Sequence, residues 1–478
     1  MARTQYDMTI IGGGSGGLTA ARIATALGAN VLLVDKERLG GDCLNYGCVP
    51  SKSLIHVARV VQQAKDAAKN VLVPLAGTRL GGVDMAKVTD YVQGVIARVA
   101  EGEKIYTEGV TVKFGQVSFN SAIDLSLNGE TFTSRNTLIA TGSRPAIPKV
   151  EGLQEAGYLT NEDVFNLVNL PASIIVVGGG PMGVELGQAF ERLGAKVTII
   201  QGPDRILPRE DPEVSAMVAD VLRSEGIDIY TNARFVRAAR NGDKKVVLAK
   251  QGEMLLNFKA DEILLALGRQ PNIEGLNLET AGIKYDNKGI KVDEYLQTSA
   301  SNILAIGDVI CGYLFTHVAA YQSGIAVRNA LVPVGKKKVD YRVLPWCTFT
   351  DPEAARVGLT TDEAEKQYKQ VRIVKFPWRE IDRAQTESET VGFIKLVLAG
   401  KKDEIVGAHM VGARAGEMLG EMALAMQHNL TLNDILATIH AYPTMNTGIQ
   451  ETVFEAYLEG AAAANNRRIV RTVLSLRG

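Results

Sequence analysis

Two cysteines stand five positions apart in Gly40-Gly41-Asp42-Cys43-Leu44-Asn45-Tyr46-Gly47-Cys48-Val49-Pro50-Ser51-Lys52. At that separation the two sulfurs can close a disulfide. The run Val49-Pro50-Ser51-Lys52 reads as the opening of a helix, because proline is tolerated in a helix's first turn. Cys48 then lies near the positive end of the helix dipole, which favours a thiolate. A thiol with a pKa of about 8.5 is ionised only to a few per cent at neutral pH, so a reactive cysteine needs help of this kind. A zinc half-site is the poorer reading, since zinc usually takes four ligands and no second closely spaced cysteine pair or Cys/His cluster is present. Inert burial fits a glycine-flanked segment badly. Cys311 and Cys347 each stand alone, and core packing is the expectation for both.

The elements that must position this pair begin upstream. Met8-Thr9-Ile10-Ile11 reads as a strand, Gly12-Gly13-Gly14-Ser15-Gly16-Gly17 as a turn into a helix, and Val31-Leu32-Leu33-Val34-Asp35 as a second strand. In such a unit Gly12 makes the tight turn, Gly14 lets a pyrophosphate approach the backbone, and Gly17 lets helix and strand pack closely. Asp35 closes the second strand, where a carboxylate accepts hydrogen bonds from a ribose. The unit returns without a gap 166 residues further on, as Ile174–Val177, then Gly178-Gly179-Gly180-Pro181-Met182-Gly183, then Val197-Thr198-Ile199-Ile200-Gln201. Two dinucleotides in one chain point to hydride transfer from a nicotinamide to a flavin. Gln201 occupies the place of Asp35. An amide does not repel a 2′-phosphate, and Arg205 and Arg209 follow closely enough to pair with one. This leans toward NADPH and leaves NADH open, because both arginines also read as solvated surface charges.

Composition sets the frame. The 478 residues carry 52 basic and 53 acidic side chains, a net charge of −1, so neither nucleic acid nor an anionic membrane is an expected partner. At about 150 residues per domain the chain should hold roughly three domains. No apolar run is long enough for an integral membrane segment, and the start reads as uncleaved and cytoplasmic. Four cysteines are too few for a disulfide-stapled secreted scaffold.

With these residues in place, the chain resembles the flavin-dependent pyridine nucleotide-disulfide oxidoreductases, the class I family of lipoamide dehydrogenase, glutathione reductase and mercuric reductase. The most specific motif is Gly41–Lys52, supported by Ala140-Thr141-Gly142-Ser143-Arg144-Pro145, Leu267-Gly268-Arg269-Gln270-Pro271-Asn272 and Ala305-Ile306-Gly307-Asp308. The resemblance implies an α/β fold of two Rossmann-like domains, for FAD and NAD(P), plus a C-terminal α+β dimerisation domain. The expected divisions are 1–150 for FAD, 151–275 for NAD(P), 276–343 completing the FAD domain, and 344–478 for a homodimer with shared active sites. It implies that Cys48 is the thiolate against the flavin and Cys43 the outer sulfur that exchanges with substrate. Lys52 is similar to the family's lysine near the flavin, Glu185 to its carboxylate partner beside the nicotinamide, and Asp308 to its contact with the FAD ribityl chain. Thr141, Gly142 and Gly268 fall in the supporting cofactor motifs.

One part of the pattern departs. Where lipoamide dehydrogenase and glutathione reductase place a histidine before Pro-Thr and a glutamate five positions later, this chain has Tyr442 and Thr447 in His440-Ala441-Tyr442-Pro443-Thr444-Met445-Asn446-Thr447. His440 is two residues early, and side chains two apart face different ways. Mercuric reductase shares the tyrosine but ends in a cysteine pair, whereas this chain ends Leu474-Ser475-Leu476-Arg477-Gly478. Its basic, amphipathic tail is read as packing on the dimer or fraying in solvent, and less readily as touching a membrane surface. The function expected is an NAD(P)H oxidoreductase passing electrons through FAD and Cys43–Cys48 to a small acceptor: a quinone or dye, a metal ion, or a disulfide. The contrasting reading is a redox-sensing flavoprotein subunit.

Overall fold

The computed structural model describes residues 5–69 and 81–477. These form two compact units. The first gathers the described residues up to Val60, those from 81 to Pro171, and Glu262–Asp340. Its main sheet runs, edge to edge, Thr111–Phe114, Val31–Asp35, Gln5–Ile11, Glu130–Ile139, Asp124–Leu127 and Val117–Phe119, with Ile303–Ala305 pairing in parallel with Glu130–Ile139. The central strands are parallel, and their inner segments Met8–Ile11, Val31–Val34 and Thr137–Ile139 are buried, as strands covered on both faces must be. Helices Ser15–Ala26 and Thr316–Leu331 pack together in this unit.

The second unit gathers residues 61–69, Ala172–Asp261 and the chain from Tyr341 onward. It holds the parallel strands Ser173–Val177, Lys196–Ile200 and Asp228–Tyr230, and an antiparallel sheet of Ala233–Asn241, Lys244–Gln251 and Met254–Ala260. A five-stranded antiparallel sheet orders Pro345–Thr348, Glu353–Gly358, Glu404–Gly412, Phe393–Ala399 and Val371–Pro377. Trp378, Leu396, Met410, Met422 and Ile449 centre its core.

The sequence repeat is a repeat of register. Met8 pairs with Val31 and Ile11 with Val34; 166 residues later Ile174 pairs with Val197 and Val177 with Ile200. Gly12 and Gly178 adopt φ of +107° and +113°, a region costly for any residue with a Cβ. A Cβ on Gly17 would lie 1.8 Å from the Gly12 carbonyl oxygen, so only glycine permits this helix to start so close to its strand.

Among the described residues no helix is long and apolar enough to cross a membrane. Ala461–Arg477 is helical, and residues 466–476 are exposed. One expectation is corrected here. Cys311 is not a core residue: it is exposed and ends the short helical turn Gly307–Ile310 with a left-handed φ of +64°. Cys347 does pack, half-buried, against the core of the C-terminal sheet.

Candidate active site

The helix Cys48–Lys69 starts on Cys48 itself, so the sulfur stands at the positive end of a long helix, with Pro50 in its first turn. Cys43 lies in the preceding short helix Gly41–Asn45. Both sulfurs are free thiols, Cys48 reachable by solvent and Cys43 half-buried. The Cys43 S–H donates to the Cys48 sulfur. That bond holds the Cys48 thiol down at about 6; partial desolvation opposes it, while Thr316 and the Lys52 charge assist. The same bond, with burial, pushes Cys43 far above its ordinary value. The pair therefore favours its proton on Cys43 and its negative charge on Cys48.

Sequence reading missed Thr316. It opens the helix Thr316–Leu331, and its hydroxyl lies 3.3 Å from Cys48 Sγ, so a second helix start contributes to the thiolate. No local signal pointed to it, because the partners are 268 residues apart.

A polar network ties Asp42, next to Cys43, to Asp308. The Arg269 guanidinium lies 2.9 Å from Asp42 Oδ1 and 3.6 Å from Asp308 Oδ2, and its Nε donates to Ser143 Oγ, which donates to Asp308 at 2.6 Å. Asn161 donates to Asp42 and to the Tyr46 carbonyl. Burial raises the Asp308 carboxyl, with Ser143 and Arg269 opposing. The two supporting motifs hold each other: Ser143–Pro145 pairs with Arg269–Pro271, Thr141 Oγ1 donates to the Asn272 carbonyl, and Asn272 donates back to the Thr141 carbonyl. Gly142 and Gly268 supply the left-handed corners.

The glycine turns fit dinucleotides. Helices Ser15–Ala26 and Pro181–Leu193 start on Gly14 and Gly180, with no side-chain cap and no acid in the first turn, so their first amides face outward as anion donors. Asp35 Oδ2 accepts from Gly13 N at 2.7 Å and Oδ1 from Glu37 and Arg38 N, which fixes a carboxylate at the strand end. Gln201 repeats the bond with an amide: Oε1 accepts from Gly179 N at 2.8 Å, and Nε2 donates to the Arg205 carbonyl. Gln201 is thus buried and hydrogen-bonded through both amide heteroatoms, an amide where the first unit has a carboxyl group. The Arg205 guanidinium donates to the Pro208 carbonyl and lies 3.6 Å from Asp204, and Arg209 is exposed. Gly183 and Glu185 are buried in the helix Pro181–Leu193, and Glu185 Oε1 accepts from Phe349 N at 2.8 Å.

The loop before Thr447–Glu459 separates His440 from Tyr442. His440 Nε2 lies 2.8 Å from Glu421 and Nδ1 3.0 Å from the Thr438 carbonyl, while Asn446 donates to the other Glu421 oxygen. Both ring nitrogens are engaged, so His440 works as a clasp for this loop. Tyr442 is 72% exposed and its hydroxyl donates to Asp382 Oδ2 at 2.8 Å, which raises its pKa above the ordinary 10.

A cysteine pair divided into thiol and thiolate, two dinucleotide turns and a network joining the redox loop to Asp308 define a flavin- and nicotinamide-dependent dithiol oxidoreductase. The comparisons with known proteins agree. Residues 6–324 match the pyridine nucleotide-disulphide oxidoreductase model and residues 344–453 match the dimerisation domain of those enzymes. The chain is 36% identical to mercuric reductase of Staphylococcus aureus over 93% of its own length and 81% of the relative's. It is also 36% identical to a dihydrolipoyl dehydrogenase of Bacillus subtilis (strain 168), over 95% and 98%. Among solved structures it resembles the HOCl-induced flavoprotein disulfide reductase RclA from Escherichia coli, with a TM-score of 0.84 and 28% identity over 94% of this chain and 99% of that one. The Cu(II) complex of RclA matches at the same TM-score and 27% identity. The chain belongs to the pyridine nucleotide-disulfide oxidoreductase family, whose members are FAD-dependent and use NAD(P)H.

Proposed function

We propose that this enzyme passes electrons from NAD(P)H, through FAD and the Cys43–Cys48 pair, to a thiophilic metal ion, acting as a homodimer with shared active sites. Residues 1–150 and 276–343 would hold FAD, with Gly12, Gly14, Gly17, Asp35, Thr141, Gly142 and Asp308 toward it, joined by Gly268 from the segment between them, whose carbonyl accepts from Ala146 N. Residues 151–275 hold the nicotinamide nucleotide on Gly178, Gly180 and Gly183, with Glu185 beside the nicotinamide and Arg205 toward a 2′-phosphate. Residues 344–478 form the dimer. FAD bound there would supply the two-electron link between the nicotinamide and the Cys43–Cys48 pair. Lys52 supplies positive charge close to Cys48, where negative charge accumulates.

The observation that carries the metal reading is the placement of His440 and Tyr442, the one bound at both ring nitrogens and the other donating to Asp382. Exchange with a substrate disulfide needs a base to deprotonate Cys43 and an acid for the departing thiolate, and such a pair commonly contributes about 10²–10⁴-fold. Tyr442, with its pKa raised by Asp382, is a poor base, and His440 is engaged at both nitrogens. A thiophilic cation needs no such base, because coordination itself displaces the thiol proton. With Cu(II) the step balances: two ions each take one electron, the Cys43–Cys48 bond forms, and the Cys43 proton leaves to water. Among the described residues no group of three or more His, Cys, Asp or Glu is placed to hold a metal ion. The similarity to mercuric reductase, and to RclA, which is solved in a Cu(II) complex, supports this reading, and the equal identity to dihydrolipoyl dehydrogenase makes lipoamide the necessary control acceptor.

Steady-state NADPH oxidation with Cu(II), a quinone-type dye and lipoamide on one preparation tests this. Cu(II) and dye turnover should each exceed lipoamide turnover by at least about tenfold, within the acid/base range above. Cys43→Ser should abolish Cu(II) reduction and spare dye reduction. Equal lipoamide turnover, or Cu(II) reduction that survives Cys43→Ser, overturns the proposal.

A further inference from the structure

The segment that follows Gln201 is bolted to the C-terminal sheet by a buried ionic cluster. Lys395, 3% exposed on the strand Phe393–Ala399, lies 3.0 Å from both carboxylate oxygens of Asp211, itself 1% exposed, and 2.8 Å from Glu213. Thr361 Oγ1 donates to Asp211, and Lys375 pairs with Glu213. One position earlier, Trp346 Nε1 donates to Glu210 at 2.6 Å. One earlier still, the buried Arg356 donates to the Arg209 carbonyl, pairs with Glu363 and stacks over the Trp346 ring. Behind them His409 is fully buried, donating from Nε2 to the Leu359 carbonyl, and burial lowers it to about 4, which keeps it neutral. Three consecutive residues, Arg209, Glu210 and Asp211, are therefore each gripped by a different strand or cap of the dimerisation domain.

Buried ion pairs are a weak way to gain stability, since desolvation cancels most of their attraction and an apolar contact of equal volume does as well. They are a good way to fix one geometry, because a charge displaced from its partner is left buried and unpaired. What this cluster fixes is the far end of the loop 202–211. The near end is held by Gln201 on Gly179 and by Leu207 N on the Gly179 carbonyl. Arg205 and Arg209 lie between or at these anchors.

We propose that Lys395, Trp346 and Arg356 are positioning residues for nicotinamide-nucleotide selectivity: the C-terminal sheet holds the arginine-bearing loop in register for the 2′-phosphate of NADPH. The proposal rests on the reading that this loop faces the adenosine end of the nucleotide. It also makes the domain that carries the dimer interface a determinant of cofactor choice.

The test compares holoenzyme variants with NADPH and NADH as donors and a quinone-type dye as acceptor. Trp346→Phe removes the hydrogen bond to Glu210 and keeps a ring under Arg356, and Lys395→Met removes the ammonium at similar volume. Each should raise KM for NADPH by about tenfold and KM for NADH by less than about threefold, the signature of lost ground-state binding, with kcat within about twofold. FAD content and the pH profile of Cys48 alkylation should stay those of the wild type. A change below about twofold in the NADPH-to-NADH KM ratio of either folded variant overturns the proposal, as does a parallel loss of kcat and FAD. If Lys395→Met does not fold, Trp346→Phe decides. Arg205→Ala separates the two layers: if it leaves KM for NADPH unchanged, the loop is not the 2′-phosphate site; if it raises KM while the anchor variants do not, only the positioning role fails.

Discussion

Replacing Thr316 with valine removes one hydroxyl from Cys48 Sγ and keeps the volume and the helix start. The thiolate accepts that hydroxyl at 3.3 Å, and a hydrogen bond to a charged group is worth about 1.5–3 kcal/mol. At about 1.4 kcal/mol per pKa unit, its loss corresponds to a rise of roughly one to two units. Cys48 should move from about 6 to roughly 7–8. The sign is that of any acid losing support for its charged form, so the thiolate fraction at pH 7 falls from roughly nine-tenths to between about a half and a tenth. The pH dependence of iodoacetamide alkylation of the reduced enzyme reads this directly, and the charge-transfer band of the reduced holoenzyme should titrate with it. Because the Cys43 hydrogen bond contributes more than Thr316, Cys43→Ala should shift the profile further in the same direction. A Thr316→Val midpoint within about 0.3 unit of the wild type would mean that the hydroxyl does not bear on the sulfur's charge, and the account of the pair would have to rest on Cys43 and the helix dipole alone.

Two other outcomes follow from the same charges. Arg269→Met should weaken FAD binding by roughly ten- to a hundredfold, since charge-assisted bonds of this class are worth about 1.5–3 kcal/mol; release of FAD fluorescence on dilution measures it, and affinity within about twofold of wild type would detach Asp308 from the cofactor. Gln201→Glu, which restores the carboxylate of the first glycine unit, should shift kcat/KM toward NADH by at least about tenfold; an unchanged ratio would free cofactor choice from this position.

The glycine units were legible because each packs its whole logic into some two dozen consecutive residues: strand, corner, amide donors and terminal acid. The structure preserves their alignment down to strand register. The cysteine pair was legible for the same reason. What sequence could not show is pairing across distance. Thr316 reaches Cys48 over 268 residues, Arg269 reaches Asp42, and Glu421 holds His440 and Asn446 together. Gln201 was found by alignment to Asp35, but its capping of Gly179 N could only be seen in place. Lys395, in the strand Phe393-Ile394-Lys395-Leu396-Val397-Leu398-Ala399, reads locally as the solvent-facing break in an apolar run; every residue of that strand is buried, and the lysine is tolerated because Asp211 and Glu213 meet it. Cys311 failed for the reason that a lone cysteine carries no pattern, so composition alone placed it in the core.

The raised Cys43 and the lowered Cys48 are two sides of one hydrogen bond between the sulfurs. A dithiol whose outer sulfur must be deprotonated by a neighbour is tuned for exchange with other disulfides, and a nearby histidine–glutamate pair serves that purpose. Here the clasp of His440 on Glu421 spends the histidine on holding the loop, and Tyr442 donates to Asp382. The charge already on Cys48 is enough to attract a cation, and a cation that binds sulfur removes the Cys43 proton by its own Lewis acidity. On the proposed reading the acceptor supplies the acid–base step that the side chains do not, so tyrosine in place of the histidine and Thr447 in place of the glutamate would favour metal reduction over disulfide exchange without altering the route by which electrons reach the sulfurs.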